Sequence, residues 1–366
     1  MTLKIALLPG DGIGPEVTDE AFRILKDVAE HSGKSFSFST HPIGGTAIDS
    51  TGTGLPEQTL EACLSANAVL LGAVGNPKFD GRRPQERPEA AILALRQALG
   101  GFANLRPALC YQALVKRTPF QPERVKGANV LIIRELLGGL YYGEPRGFEA
   151  SGNTAFNTMI YSRHEIERVA RVGFERARER KKKLASIDKA NVLETSQLWR
   201  AVVNDVAKDY SDVQLEHVFV DAAAMRLAIS PASFDVMVCE NLFGDILSDQ
   251  AASIAGSLDL LPSATIGGRI YLYEPVHGSA PDIAGKGIAN PIGAIASVAM
   301  LLRYTAKMEK EASEIEHAIE DALAAGARTK DIAGPAERVL STREMGQAIE
   351  DALHEVRDRK HSYHAV

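Results

Sequence analysis

The segment Val236-Met-Val-Cys-Glu-Asn-Leu-Phe-Gly-Asp-Ile-Leu-Ser-Asp249 constrains this chain more than any other. Val236–Val238 is the short apolar run of a buried strand. Asn241–Gly244 then reads as a turn, and an alanine-rich helix is expected from about Asp245. Strand-then-helix spacing recurs after Val130–Ile133, Leu184–Ile187 and Val218–Asp221, which predicts an α/β class with a partly parallel sheet. Asp245 and Asp249 are four residues apart on the expected helix, so both carboxylates leave one face. Unassisted, that repulsion costs roughly 0.2–0.5 kcal/mol. Either Asp245 caps the helix and Asp249 is solvated, or the pair helps hold a hard cation such as Mg²⁺ or Mn²⁺, which favours oxygen ligands. Asp221, at the expected end of another strand, supplies a third carboxylate.

In α/β proteins ligands gather at the C-terminal ends of strands. Lys189 follows Leu184–Ile187 there, as a solvated group or as a partly desolvated base. Arg96, Arg106 and Arg134 each stand beside apolar sequence. A structural ion pair accounts for any one of them. Three together could grip a substrate with two carboxylates, because guanidinium binds carboxylate bidentately. Tyr141, in the turn Gly138-Gly-Leu-Tyr-Tyr-Gly143, is either packed or a proton donor. Two long polar loops, Gly75–Pro84 and Glu274–Pro291, have the length and glycine content of binding loops.

Several classes are excluded. Gly10, Gly12 and Gly14 give G-x-G-x-G, not the dinucleotide fingerprint G-x-G-x-x-G, and no acidic residue ends a second strand at the required distance. Gly285-Lys286-Gly287 has the wrong spacing for a P-loop and no following Ser or Thr. A net charge of −6 argues against general nucleic-acid affinity. The basic run Arg176–Lys183 is expected to close a helix Arg163–Lys183, with Ile166, Val169, Ala170, Gly173, Phe174 and Ala177 inward. Three scattered cysteines point to a reducing compartment, and no signal peptide or membrane span is read, so a cytoplasmic protein is expected. At 366 residues, two domains are expected. Alternation around Phe156–Tyr161 suggests an exposed hairpin or arm.

Assembled in order, Leu-Pro-Gly-Asp-Gly-Ile-Gly-Pro-Glu16, Asn-Leu-Arg-Pro-Ala108, Asp-Lys-Ala-Asn-Val-Leu-Glu194, Asn-Leu-Phe-Gly-Asp-Ile-Leu-Ser-Asp249 and His277-Gly-Ser-Ala-Pro-Asp-Ile-Ala-Gly-Lys-Gly-Ile-Ala-Asn-Pro291 are specific. The chain resembles the isocitrate/isopropylmalate dehydrogenase family of β-decarboxylating dehydrogenases, and within it the 3-isopropylmalate branch. The resemblance implies two α/β domains sharing a continuous mixed sheet, not a Rossmann fold. Residues 1–101 plus 256–366 would bind the cofactor, and 102–255 would carry substrate, metal and the dimer contact. It implies a homodimer with Lys189 and Asp221 crossing the subunit boundary to join Asp245 and Asp249 on Mg²⁺ or Mn²⁺.

By the same resemblance Arg96, Arg106 and Arg134 bind the malate carboxylates, Lys189 (with Asp221) is the base, and Tyr141 is the acid. NAD is held by Asn76, Glu89, His277, Gly278, Ser279, Ala280, Asp282, Ile283 and Asn290. Asp282 can accept both ribose hydroxyls and would repel a 2′-phosphate, which favours NAD over NADP. Ala90, Ile92 and Leu93, where isocitrate enzymes place polar groups, make an apolar wall suited to an isopropyl group. The expected reaction is NAD-dependent oxidative decarboxylation of (2R,3S)-3-isopropylmalate in leucine biosynthesis. Ala222, Leu137 and Gly101 depart from the usual Asn, Thr and Leu of that pattern. The rival readings are a sister enzyme for D-malate, tartrate or homoisocitrate, a Mg²⁺-dependent phosphotransferase, and a non-catalytic scaffold.

Overall fold

The computed structural model describes residues Thr2–Tyr363. The chain divides into two compact units. The first takes the chain up to Gly101, then Tyr111–Pro119 and everything from Ala255; the second is Phe102–Cys110 and Phe120–Ile254.

The first unit contains β1 (Leu3–Gly10), β2 (Phe36–Thr40) and β3 (Ala68–Ala73). The second contains β4 (Ala103–Leu109), β5 (Asn129–Glu135), a short hairpin of β6 (Gly147–Phe148) and β7 (Ala155–Phe156), β8 (Lys183–Asp188), β9 (Gln214–Phe219) and β10 (Val236–Cys239). The chain then returns to the first unit as β11 (Pro262–Ile266) and β12 (Tyr271–Pro275). Strand order is β2-β1-β3-β12-β11 in the first unit, parallel except for β11 against β12. In the second it is β4-β5-β10-β8-β9, parallel except for β4 against β5. Both units are therefore α/β with mixed strand pairing. Every residue of β3 and of β10 is buried, as parallel strands covered on both faces must be. The helix Ile292–Leu301 is buried on all sides, which is why its apolar residues show no stripe.

Several boundaries move, each for a local reason. The turn expected at Asn241–Gly244 is the first turn of the helix Asn241–Ala255. Glu240 caps it, its carboxylate accepting from the N–H groups of Leu242 (3.1 Å) and Phe243 (2.8 Å), so Asp245 is one turn inside and is not the cap. Asp221 is not on a strand: β9 stops at Phe219 and Asp221 lies in the first turn of the helix Val220–Ile229.

The helix begun by the Ser162–Glu165 capping box ends at Arg178, not Lys183. Lys182 adopts φ 58°, and Lys183 opens β8, paired with Gln214. Its six inward residues are those the spacing predicts. The arm is a hairpin at β6–β7, earlier than Phe156–Tyr161, with Phe148 fully in solvent reach at 76% exposure. No helix among the described residues is long and apolar enough to cross a membrane.

Within the first unit the final helix, Thr342–Tyr363, is tied to the first, Gly14–Ser32, by the ion pairs Arg23–Glu350 and Arg343–Glu20 and by a carboxylate that takes two donors. Asp27 accepts from His354 Nε2 (2.9 Å) and from Arg357. Burial pushes the Asp27 carboxyl up, but the bonds from His354 and Arg357 outweigh it and hold the group below its usual range. A depressed carboxyl stabilises the fold above its unfolded pKa and loses that contribution as pH falls through the folded one. Asp27→Asn should therefore cost about 2 kcal/mol near pH 7, and progressively less as pH falls below the usual carboxylate range. Paired melts of parent and variant across that fall in pH measure it, and a gap that stays constant contradicts it.

Candidate active site

In the second unit Asp245 is the point on which three side chains meet. Arg134, on buried β5, reaches it through NH1 while its Nε donates to Asn241 Oδ1 at 2.9 Å. Arg106, on β4, is held by Asn104 Oδ1 (2.7 Å) and Ser248 Oγ (2.8 Å), and its NH1 stands 3.5 Å from Asp245 and 3.3 Å from Asp249. Tyr141 donates its hydroxyl to Asp245 Oδ2 at 2.8 Å. Burial, this bond and the Asp245 charge push the Tyr141 phenol up to about 12, so it carries its proton at neutral pH. Asp249 is pushed up by burial and by Asp245, against the pull of Arg106.

Two carboxylates one turn apart, with one side exposed to solvent, are a hard-oxygen donor pair whose mutual repulsion a divalent cation would relieve, and they fit one. Among the described residues no three His, Cys, Asp or Glu side chains are gathered as a metal set, so Asp221 is not beside this pair within one chain. Asp221 instead pairs with Lys189, Nζ to Oδ1 at 2.7 Å. Lys189 holds the Asp221 carboxyl below its usual range through that bond. Lys189 follows β8, and its N–H donates to Ser196 Oγ at 3.0 Å.

In the first unit Arg96, near the end of the helix Pro88–Leu99, pairs with Glu274 of β12 at 2.7 Å. Helical spacing puts Arg96, Ile92, Leu93 and Glu89 on one side of this helix. Ala90 lies in a surface cleft of about 560 Å³ with Ala94, Arg82 and Arg87. Ile92 packs partly into the core around Leu95, Leu71 and Leu272. Ala90, three residues before Leu93 on the helix, shares a side with Leu93 and not with Ile92.

The glycine turn after β1 carries work that spacing alone leaves unassigned. Asp11, buried, accepts from the N–H groups of Gly45 (2.8 Å), Thr46 (2.8 Å) and Gly75 (3.0 Å). Ile13 N–H donates to Ser279 O at 2.8 Å, and Glu16 accepts from Gly285 and Gly287 (3.0 Å for the latter). A Cβ on Gly12 would lie 1.9 Å from Ser279 O, so only glycine allows that approach. A Cβ on Gly75 would lie 3.1 Å from Ser279 Oγ and 3.2 Å from Glu89 Oε1, which brings the 75–89 and 277–290 loops together. Asn76 caps its own turn through Lys78 N–H (3.0 Å), and Asn290 bonds Asp331 (3.1 Å) and Ile292 N–H (3.1 Å).

His277 is buried, its Nδ1 beside Gly278 O (2.9 Å), and burial lowers its pKa so that the ring is neutral. Among the described residues its buried Nε2 has no partner. Gly278 and Gly285 face open space, Asp282 is exposed, Ile283 is half-buried, and Ala280 is held at φ 38°. A lined loop with an orphaned imidazole nitrogen fits a nucleotide. The sequence reading did not single out Asp11, Glu16, Glu240 and Asn241 as organisers, although the first two and Asn241 stand inside the quoted motifs and Glu240 adjoins one.

The chain matches the family model described as Isocitrate/isopropylmalate dehydrogenase over residues 4–349. It is 52% identical to the 3-isopropylmalate dehydrogenase of Aquifex aeolicus over 97% of this chain and 98% of that one. It is likewise 52% identical to the 3-isopropylmalate dehydrogenase of Moorella thermoacetica, over 96% and 99%. Among solved structures, isocitrate dehydrogenase from Methylococcus capsulatus superposes with a TM-score of 0.86 at 36% identity, covering 96% of this chain and 99% of that one. A domain-by-domain α/β architecture, motif order over nearly the whole chain, and relatives of half-identical sequence agree: this chain belongs to the isocitrate/isopropylmalate dehydrogenase family.

Proposed function

We propose that the protein is an NAD-dependent β-decarboxylating dehydrogenase that converts (2R,3S)-3-isopropylmalate to 4-methyl-2-oxopentanoate and CO2 in leucine biosynthesis. The observation that carries it is the Arg106–Arg134–Tyr141–Asp245 cluster, in a chain whose half-identical relatives bear the 3-isopropylmalate dehydrogenase name. Arg106 and Arg134, already fixed by Asn104, Ser248 and Asn241, would present donors to the malate carboxylates, with Arg96 as a third. Lys189, held against Asp221, would take the proton of the C2 hydroxyl. After CO2 leaves C3, Tyr141 would return a proton to that carbon, and its raised pKa keeps the proton available until then. When bound, NAD⁺ would accept the hydride, and a divalent ion held by Asp245, Asp249 and Asp221 would supply Lewis acidity.

The Asp221 carboxylate would reach that ion from a second copy. Large apolar side chains stand exposed beside each of the three separated groups: Val192 (61%) after Lys189, Met225 (56%) after Asp221 and Ile246 (58%) after Asp245. Exposed apolar side chains of that kind fit a homodimer contact. Leu93 and Ile92, on the Arg96 side of their helix, would accept the isopropyl group and leave an extra carboxylate unpaired. NADH formation from 3-isopropylmalate, D-malate and isocitrate, each with Mg²⁺ or EDTA, tests the reading. Isopropylmalate should win by orders of magnitude and EDTA should stop turnover; preference for D-malate overturns the pocket.

Glu16 offers a separate test of the cofactor loop. Glu16→Gln keeps one acceptor where two backbone N–H groups need them, so the KM for NAD should rise about tenfold with the isopropylmalate KM unchanged. Steady-state kinetics with each substrate varied in turn reads this. Equal rises in both would detach the glycine turn from cofactor binding.

A further inference from the structure

Behind the Tyr141 turn, two glutamates lie buried against one phenol. Glu135 ends β5 with no exposed surface, and Glu240, just after β10, is 3% exposed. Glu135 accepts from the N–H groups of Leu137 (3.0 Å) and Gly138 (2.8 Å), while Glu240 accepts from those of Leu242 and Phe243. Tyr161 Oη stands 3.1 Å from Glu135 Oε2 and 3.4 Å from Glu240 Oε2, and it accepts from Asn241 N–H at 2.9 Å.

A phenol has one proton and two lone pairs. Asn241 occupies one lone pair, so Tyr161 can donate to one carboxylate and accept once more. If both glutamates were ionised, one would hold a charged oxygen against a phenol lone pair while buried, a repulsion that its backbone N–H bonds leave in place. One added proton satisfies all three groups. The charged and titratable neighbours are Arg168 from the helix Arg163–Arg178, 3.6 Å from Glu135, together with Tyr141 and Cys239, both neutral. Arg134 on β5 is engaged with Asp245 and Asn241. A full guanidinium charge favours ionised Glu135 more than the half charge of a helix N-terminus favours ionised Glu240. Burial raises both carboxyls, and the Glu135 charge raises Glu240 further.

We propose that Glu240 carries a proton which it donates to Tyr161, that Tyr161 donates to ionised Glu135, and that this buried unit positions the Tyr141 turn and the Asp245 helix together. Glu135 fixes the start of the turn, and Glu240 fixes the first turn of the helix. Asn241 joins them, its Nδ2 donating to Leu136 O (3.1 Å) and Gly138 O (3.0 Å). The turn rests on the phenol itself. A Cβ on Gly138 would lie 2.6 Å from the Tyr161 ring, and one on Gly139 2.8 Å from its hydroxyl. The three residues are positioning residues, and their kinetic effect rests on the reaction proposed above.

Infrared difference spectroscopy of the whole protein at neutral pH, parent minus Glu240→Gln, tests the proton without any need for turnover. A deuterium-sensitive band of a protonated carboxyl should appear in the difference. Its absence, with Glu240→Gln shown to be folded by its melt, overturns the assignment whether or not the protein is a dehydrogenase. The amide of Glu240→Gln still donates to Tyr161 and gives up only the bond from Leu242 N–H, so kcat should stay within about threefold with an unchanged pH profile. Tyr161→Phe should lower kcat about tenfold with the isopropylmalate KM within about twofold. If Tyr161→Phe leaves kcat intact, or moves KM and not kcat, the positioning role is overturned while the substrate reading stands.

Discussion

Lys189→Met is expected to lower kcat on 3-isopropylmalate by about 10³–10⁴-fold, with the melting temperature changed by only a few degrees. The methionine keeps the apolar stem of the lysine and removes the amine that would take the C2 hydroxyl proton. Stability should change little because the partner, Asp221, is 68% exposed, and an exposed ion pair stabilises weakly. The lysine N–H bond to Ser196 is backbone and survives the substitution. Steady-state kinetics with a parallel melt decide it. A loss smaller than tenfold would move the base to another residue and leave Lys189 as an ion pair.

Asp245→Asn should do comparable damage by a different route. The amide still accepts from Tyr141, but two buried guanidinium groups lose the charge that faces them, and the cation loses a ligand. We expect kcat/KM to fall by about 10³ or more at fixed Mg²⁺. Mg²⁺ affinity, read by direct titration, should weaken in the same variant. The two inactive variants also test the shared site. If Lys189 and Asp221 come from one subunit and Asp245 from the other, mixing Lys189→Met with Asp245→Asn and reassorting subunits should restore about a quarter of parent activity: half the dimers are hybrid, and one site in each is intact. No recovery, with reassortment verified, would place each site within a single chain.

The sequence announced what depends on short-range pattern. The six inward positions from Ile166 to Ala177 follow from a 3.6-residue period, and β10 from an apolar run too short for a helix. The helix Pro88–Leu99 is bounded by a proline at its start and Gly100, at φ 72°, after its end. What escaped depends on partners distant in sequence. β4 contains a proline and an arginine and reads as irregular, yet it pairs along its whole length with β5. β2 is mostly polar and exposed, so its apolar signal is weak. Glu240 carries no mark of a cap because capping residues are more often short, and its role shows only once Leu242 and Phe243 turn their N–H groups toward it.

The candidate site divides in the same way. Lys189, Asp221, Asp245 and Asp249 were visible as polar residues at the ends of apolar runs. That Tyr141 meets Asp245, and that Asn104, Ser248 and Asn241 fix the arginines, required the fold.

The most direct test of the account is the product balance of a single incubation with 3-isopropylmalate, NAD⁺ and Mg²⁺. The account predicts 4-methyl-2-oxopentanoate, CO2 and NADH in equal amounts. NADH without CO2, or no NADH from any malate-type substrate in folded protein, would contradict oxidative decarboxylation as what this fold does.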